Sequence, residues 1–237
     1  MKTLLVVGAS SDVGIELIYR VVNQYDMIWA HYFHWNDKLE HMKAEFVGKI
    51  RFLQADLSKP AEIEAMIETI KVEGSQPDHI VHLPMSKTYT TRFTKTTWDD
   101  FETGLILSVR SAVTILYAFL PYMLKNRYGK VVYMLTSYTI GMPPKYQTAY
   151  VTAKYALLGL MKSLASEYAD KNITFNGVSP DMIQTKFISD LPHLLVEQYT
   201  ESRPMKKLLS AKDVIPVFEF LLSSGADHIS GENILVQ

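Results

Sequence analysis

Tyr150 and Lys154 stand four residues apart in the stretch AYVTAKYALLG, residues 149–159. Positions i and i+4 share a helix face, so both side chains can point into one cleft. A free tyrosine has a pKa of about 10, and a nearby ammonium favours the phenolate and lowers that value toward the working range. Such a tyrosine could give a proton to a carbonyl oxygen as hydride arrives, or take one from an alcohol. The pattern alone is common by chance, and an exposed amphipathic tyrosine is the competing reading. Ser137 changes the weight. It follows the apolar run KVVYML (130–135) and lies thirteen residues before Tyr150. A hydroxyl at the carboxyl end of a strand could hydrogen-bond the reacting oxygen; otherwise it satisfies local backbone as a loop-opening serine.

Positioning these groups requires a scaffold, and the apolar pattern supplies one. Runs at 3–7, 27–32, 50–54, 79–83, 130–135, 173–178 and 233–237 predict strands, most of them continuously apolar. Helical stretches are expected at 13–24, 36–46, 60–71, 98–124, 148–169 and 211–223. The alternation predicts an α/β fold: one domain over 1–237 with a doubly wound, parallel, seven-stranded Rossmann-like sheet and helices on both faces. Ligands on such sheets bind beyond the carboxyl ends of the strands. Two segments break the rhythm. One is the Thr- and Lys-rich loop 84–97. The other is 184–210, with Leu191, Leu194, Leu195, Val196 and Tyr199, which reads as a substrate lid or as a helical excursion packed on the core.

Bulk properties narrow the function classes. The net charge is −1, with 24 Lys+Arg against 25 Asp+Glu, so no basic excess points to nucleic acid or an anionic membrane. Cysteine is absent, which excludes disulfides, thiolate metal sites and cysteine nucleophiles. The apolar run Leu4–Val7 is too short for a signal peptide or a membrane span, and no other segment is read as approaching that length. The expectation is a soluble, cytoplasmic protein. The seven histidines are scattered, and His31 and His34 share a strand end without carboxylate partners, so they read as polar surface rather than metal ligands.

The first strand runs into VVGASSDVGIEL, with Gly8 ending the strand and Gly14 in the opening turn of the next helix. A glycine-rich turn at a helix N-terminus lets backbone N–H groups approach a pyrophosphate; a tight turn without a ligand is the alternative. Asp12 can cap that helix, and it would repel a phosphate unless it points away. Preference between NAD and NADP is set near the end of the second strand, where an acid would bond the ribose 2′-hydroxyl. Tyr32 occupies that place, no acid precedes Asp37, and His31, His34 and Lys38 lie nearby. The balance tips toward NADP, with NAD kept open.

Ser137, Tyr150 and Lys154 at this spacing resemble the catalytic set of the short-chain dehydrogenase/reductases, in their compact single-domain subgroup. The resemblance runs through nearly the whole chain: GASSDVG in the first turn, ADLS around Asp56, and NGVSPDMIQT over 176–185. It implies that Gly8, Ser10, Ser11, Asp12, Val13 and Gly14 face the dinucleotide, with Tyr32, Asp56 and Leu57 along it. It implies that Pro180, Ile183 and Thr185 close over the nicotinamide and that Lys154 also holds the ribose hydroxyls. Ser108 falls where the family has an asparagine that helps hold a proton-relay water. Gln147 is similar to a residue of reductases of 3-oxoacyl thioesters. The chain departs from the family at Asp12, at HLPM (82–85) and at Asp181.

Two functions follow. One is an NAD(P)-dependent oxidoreductase of a ketone or secondary alcohol, with Tyr150 as acid/base, Lys154 and Ser137 beside it, and Met142, Pro143 and Pro144 along an apolar substrate pocket. The other is a non-enzymatic dinucleotide sensor or scaffold on the same fold. The resemblance further implies a homodimer or homotetramer through the helix at 98–124 and the one carrying Tyr150.

Overall fold

The computed structural model describes residues 1–86, 90–185, 193–201 and 205–237, and of 193–195 the backbone only. Seven parallel strands form one sheet in the order β3-β2-β1-β4-β5-β6-β7. They are β1 (Thr3–Val7), β2 (Met27–Tyr32), β3 (Ile50–Gln54), β4 (His79–His82), β5 (Gly129–Met134), β6 (Ile173–Pro180) and β7 (Asn233–Val236). The order reverses between β1 and β4, so a crevice opens there beyond the carboxyl ends. β1 is wholly buried, whereas the edge strand β3 alternates between inside and outside. This is the contrast expected between covered and edge positions.

Helices cover both faces. α1 (Asp12–Val21), α2 (Asp37–Glu45) and α8 (Ala211–Leu222) pack on one side through Leu17, Ile18, Leu39, Val214 and Phe218. α3 (Pro60–Val72), α5 (Ser111–Asn126) and α6 (Thr148–Glu167) pack on the other through Ile63, Ile70, Phe119, Leu157 and Met161. α6 can approach the sheet because β6 carries Gly177. A Cβ there would lie 2.4 Å from Leu135 Cδ1 and 3.1 Å from Met161 Sδ. α7 (His193–Glu201) lies in the segment expected to form a lid; Leu191 falls outside the described residues, as do the side chains of Leu194 and Leu195.

The long helix expected at 98–124 is interrupted. α4 (Trp98–Leu105) passes through a π turn, Ile106–Arg110, into α5. A π turn shifts the hydrogen-bond ladder by one residue, and hydroxyls serve carbonyls along it. Ser108 Oγ donates to Gly104 O (2.6 Å), Ser111 Oγ to Leu107 O (2.6 Å) and Thr114 Oγ1 to Arg110 O (2.9 Å). The stretch Trp98–Asn126 also corrects the view that no segment approaches a membrane span. It is 29 residues long, with a mean hydropathy of 1.7 in its most apolar window. Its apolar side chains Ala112, Ile115, Leu116, Phe119 and Met123 are spent on the core.

Among the described side chains, His31, His79 and His82 are buried, which corrects the surface reading of His31. Its Nδ1 accepts the Gly8 N–H (3.0 Å), so its Nε2 carries the proton donated to Ala55 O (3.0 Å). His79 sits between the hydroxyls of Tyr25 (2.7 Å) and Tyr128 (2.9 Å). His82 Nε2 lies 2.9 Å from Ser111 Oγ. Burial pushes His31 down to about 4, and His79 and His82 down to about 3. An unfolded chain takes up these protons below about 6.5, while the folded chain resists. Stability should therefore fall as pH drops below about 6.5, and go on falling until the folded histidines themselves take up protons at pH values of about 3 to about 4. Urea midpoints at pH 7 and pH 5 test this, and equal midpoints would refute it.

Candidate active site

A cavity of about 1000 Å³ opens along the carboxyl ends of β1, β2, β4, β5 and β6. It runs from the glycine turn at Gly8 to Tyr150, Lys154 and the segment Pro180–Thr185. That volume is at the upper end of the range for small-molecule and cofactor pockets.

The glycine turn is built by close contacts. Gly8 has φ +87°, and a Cβ on it would lie 3.3 Å from Leu83 Cβ and 3.6 Å from Pro84 N. Gly14 is buried beneath the turn, where a Cβ would meet Gly8 O and Ala9 Cα at 2.7 Å. Ser11 caps α1, accepting the Gly14 N–H (3.1 Å) and donating to Gly8 O (2.8 Å). Lys38 Nζ lies 2.7 Å from Asp12 Oδ1, so the carboxylate at the helix N-terminus has a cation beside it. Asn36 Nδ2 donates to Ser10 O (3.1 Å), and its Oδ1 accepts the Leu39 N–H (3.0 Å). The loop after β2 is thereby stitched onto the glycine turn. Further along, Asp56 Oδ1 accepts the Ser58 N–H (2.9 Å), and hydrogen bonding to Ser58 holds the carboxyl below its ordinary range. Gly8, Ser10, Ser11, Asp12, Val13, Asp56 and Leu57 all line the cavity. A positive-φ glycine, a helix N-terminus and a neutralised acid together suit a dinucleotide.

Tyr32 is a correction. It does not line the cavity; its ring packs edge-on against Trp35 at 5.0 Å, and Phe33 takes the expected place. Strand alternation explains the difference, since successive side chains take opposite faces.

Ser137, Tyr150 and Lys154 are brought together in the cavity. Ser137 opens a 3₁₀ turn after β5, while Tyr150 and Lys154 stand one turn apart on α6. Lys154 is 1% exposed and donates from Nζ to Met134 O (2.7 Å), 5.9 Å from the Tyr150 ring centroid. Burial pulls Lys154 down to about 7 and pushes Tyr150 up to about 12, with a Thr136 hydrogen bond partly opposing the latter. The expected lowering of the tyrosine is therefore corrected: desolvation raises it and outweighs the Thr136 hydrogen bond. Thr136 was missed from the sequence; its signal was a second hydroxyl beside Ser137 at the strand end.

The departures from the family pattern have structural roles. His82 donates to Ser111, whose own proton goes to Leu107 O, so the imidazole braces the π turn. Leu83, Pro84 and Met85 line the cavity. Asp181, 7% exposed, accepts the Ser137 hydroxyl at 2.9 Å and the Tyr199 hydroxyl on the same Oδ1. Tyr199 comes from α7, so the expected lid segment does reach the site, although residues 186–192 lie outside the described residues. Pro180, Ile183 and Thr185 line the cavity, and Ile183 bridges to Leu209. Pro144 and Gln147 line it as well, whereas Met142 and Pro143 do not; Met142 is 95% exposed. Ser108 also fails to reach it, being buried with its proton given to Gly104 O. A relay water is therefore not placed by Ser108. No cluster of three metal-ligating side chains occurs among the described residues.

The comparisons agree with this geometry. A family model described as enoyl-(acyl carrier protein) reductase matches residues 27–237. A 3-oxoacyl-acyl-carrier-protein reductase, FabG, of Staphylococcus epidermidis is 27% identical over 241 residues, covering 99% of this chain and 97% of the relative. A structure of 4-hydroxyisoleucine dehydrogenase complexed with NADH superposes with a TM-score of 0.90 at 21% identity, covering 100% of this chain and 97% of the other. A structure of ElxO with NADP bound gives 0.87 at 22%, covering 99% and 96%. The chain belongs to the short-chain dehydrogenase/reductase family. Its activity class is that of an NAD(P)-dependent oxidoreductase of carbonyl and alcohol groups.

Burying Lys154 has a measurable consequence. Its folded pKa of about 7 lies below the unfolded value, so the penalty is full below pH 7 and fades as pH rises toward about 10.5. Lys154→Met should raise the melting temperature of the unliganded protein more at pH 6.5 than at pH 9. An equal shift at both pH values would contradict this account.

Proposed function

We propose that Tyr150 is the general acid/base of a ketone–alcohol oxidoreductase, with Lys154 and Ser137 as its partners. The observation that carries this reading is the enclosure of Tyr150 and Lys154, with Ser137, in one cavity that begins at the glycine turn. When bound, the nicotinamide gives or takes the hydride. The residues that would hold the dinucleotide are Gly8, Ser10, Ser11, Asp12 and Val13 at the pyrophosphate and Asp56 and Leu57 along the adenosine. Pro180, Ile183, Thr185 and Lys154 would serve the nicotinamide end. Gly14 contributes by letting α1 approach the turn. Lys38 beside the turn favours NADP over NAD, since a cation there can meet a 2′-phosphate.

Tyr150 would protonate the substrate oxygen during reduction and deprotonate it during oxidation. Desolvation raises its pKa and keeps the phenol protonated at neutral pH, the form that reduction needs. Ser137 would contact the same oxygen. The favoured substrate class is a 3-oxoacyl-type compound. Support comes from Gln147 in the cavity, from apolar lining by Leu107, Met134 and Met182, and from the activity named for the Staphylococcus epidermidis relative. The segment 184–210 would act as the lid. Tyr150→Phe should retain binding of NADPH, read by its fluorescence, while turnover on a ketone and oxoacyl-thioester panel falls by roughly 10²–10⁴-fold. Retained turnover would sink the assignment.

A homodimer or homotetramer is the favoured assembly. Trp98 on α4, Tyr117 on α5 and Tyr155 on α6 are 68%, 79% and 46% exposed in the single chain. Large apolar side chains on adjoining helices fit a covered face. Sedimentation should give a multiple of the 27.0 kDa chain mass, and a single-chain mass would overturn this.

A further inference from the structure

We infer that Asp181 is a positioning residue: it fixes Ser137 as a hydrogen-bond acceptor, so that the site holds the alcohol form of its substrate in preference to the carbonyl form. This rests on the oxidoreductase reading above and concerns which partner of the reaction the site grips.

A serine hydroxyl has one proton and two lone pairs. Ser137 Oγ gives its proton to Asp181 Oδ1 at 2.9 Å. A carboxylate can only accept, so that proton has to point at Asp181 and the lone pairs remain for the cavity. The bond is charge-assisted, the stronger kind. Asp181 is also held in place. Its N–H donates to Val236 O (2.8 Å), and the Tyr199 hydroxyl donates to the same Oδ1 that Ser137 uses. Tyr199 in turn lies 3.5 Å from the Met182 N–H, as an acceptor. Both Asp181 and Tyr199 line the cavity.

The two substrate forms then meet different partners. An alcohol O–H can donate to Ser137 without disturbing Asp181. A ketone oxygen only accepts, so Ser137 must first leave the carboxylate in order to serve it. Until then the ketone would depend on Tyr150, the proposed acid, for a donated hydrogen bond. The overall equilibrium of the reaction is unchanged; the bias lies in how tightly each form is held. Glycine at this position, as in the family pattern, would leave the serine proton free to turn toward a carbonyl.

The test uses equilibrium binding in unreactive combinations, measured by calorimetry. The 3-oxobutanoyl thioester of N-acetylcysteamine is titrated into protein with NADP⁺, and the 3-hydroxybutanoyl thioester into protein with NADPH. Asp181→Ala should lower the ratio of ketone to alcohol dissociation constants by about tenfold, the effect of one hydrogen bond, mainly by tightening the ketone. Asp181→Gly, checked by its melting curve, should act alike if the alanine variant folds poorly. Tyr199→Phe should give a smaller shift in the same direction. In a Ser137→Ala background Asp181→Ala should add nothing, because the effect runs through the serine. An unmoved ratio, or an equal shift without Ser137, overturns the inference while leaving the functional reading intact. If the unaltered protein binds no dinucleotide, or neither thioester, both readings fall together.

Discussion

Desolvation of Lys154 next to Tyr150 is the interaction around which the site is organised. An ammonium taken from water is held by one backbone carbonyl, Met134 O, at the end of β5. That bond is available because β5 is central and parallel, and because α6 lies close enough to reach its carboxyl end. The close approach depends in turn on Gly177 beneath α6 and on Gly104 where α4 meets it, since a Cβ at Gly104 would lie 3.2 Å from Ala153 Cβ. The sheet order, two small residues and one buried cation thus belong to a single arrangement.

Much of the fold was legible because its signals are local. Short, largely apolar runs marked β1, β2 and β3 to the residue, and the alternation with helices implied a parallel sheet. The π turn was not legible. The hydroxyl–carbonyl bonds that accompany it, at Ser108, Ser111 and Thr114, come from residues that look in sequence like ordinary polar positions of an amphipathic helix. His31 was misread for a related reason. A histidine at a strand end reads as surface, yet its ring satisfies Gly8 N–H on one side and Ala55 O on the other. Only the neighbouring strands reveal that need.

Within the candidate site, the spacing of Ser137, Tyr150 and Lys154 carried the chemical reading, because helix periodicity and strand ends are one-dimensional features. The ionisation behaviour was not carried by spacing. Proximity of a lysine suggested a lowered tyrosine, whereas desolvation raises it. Likewise Asp181 stood out as a departure, but its connection to Ser137 and Tyr199 joins residues 44 and 18 positions away. The segment after β6 is further joined to the stretch before α8 through Gln184 N–H to Leu209 O.

The stitching of the β2–α2 loop onto the glycine turn bears on how this scaffold can be re-engineered. Asn36 holds Ser10 O while capping α2, and Lys38 sits against Asp12. The loop that would discriminate the ribose substituent is therefore mechanically continuous with the turn that would receive the pyrophosphate. Grafting a foreign loop over residues 33–38 would exchange more than a recognition element: it would uncover a carboxylate at a helix N-terminus and release the turn backbone. A change of dinucleotide preference in this chain thus has to be made in matched pairs, one residue on each side of the seam.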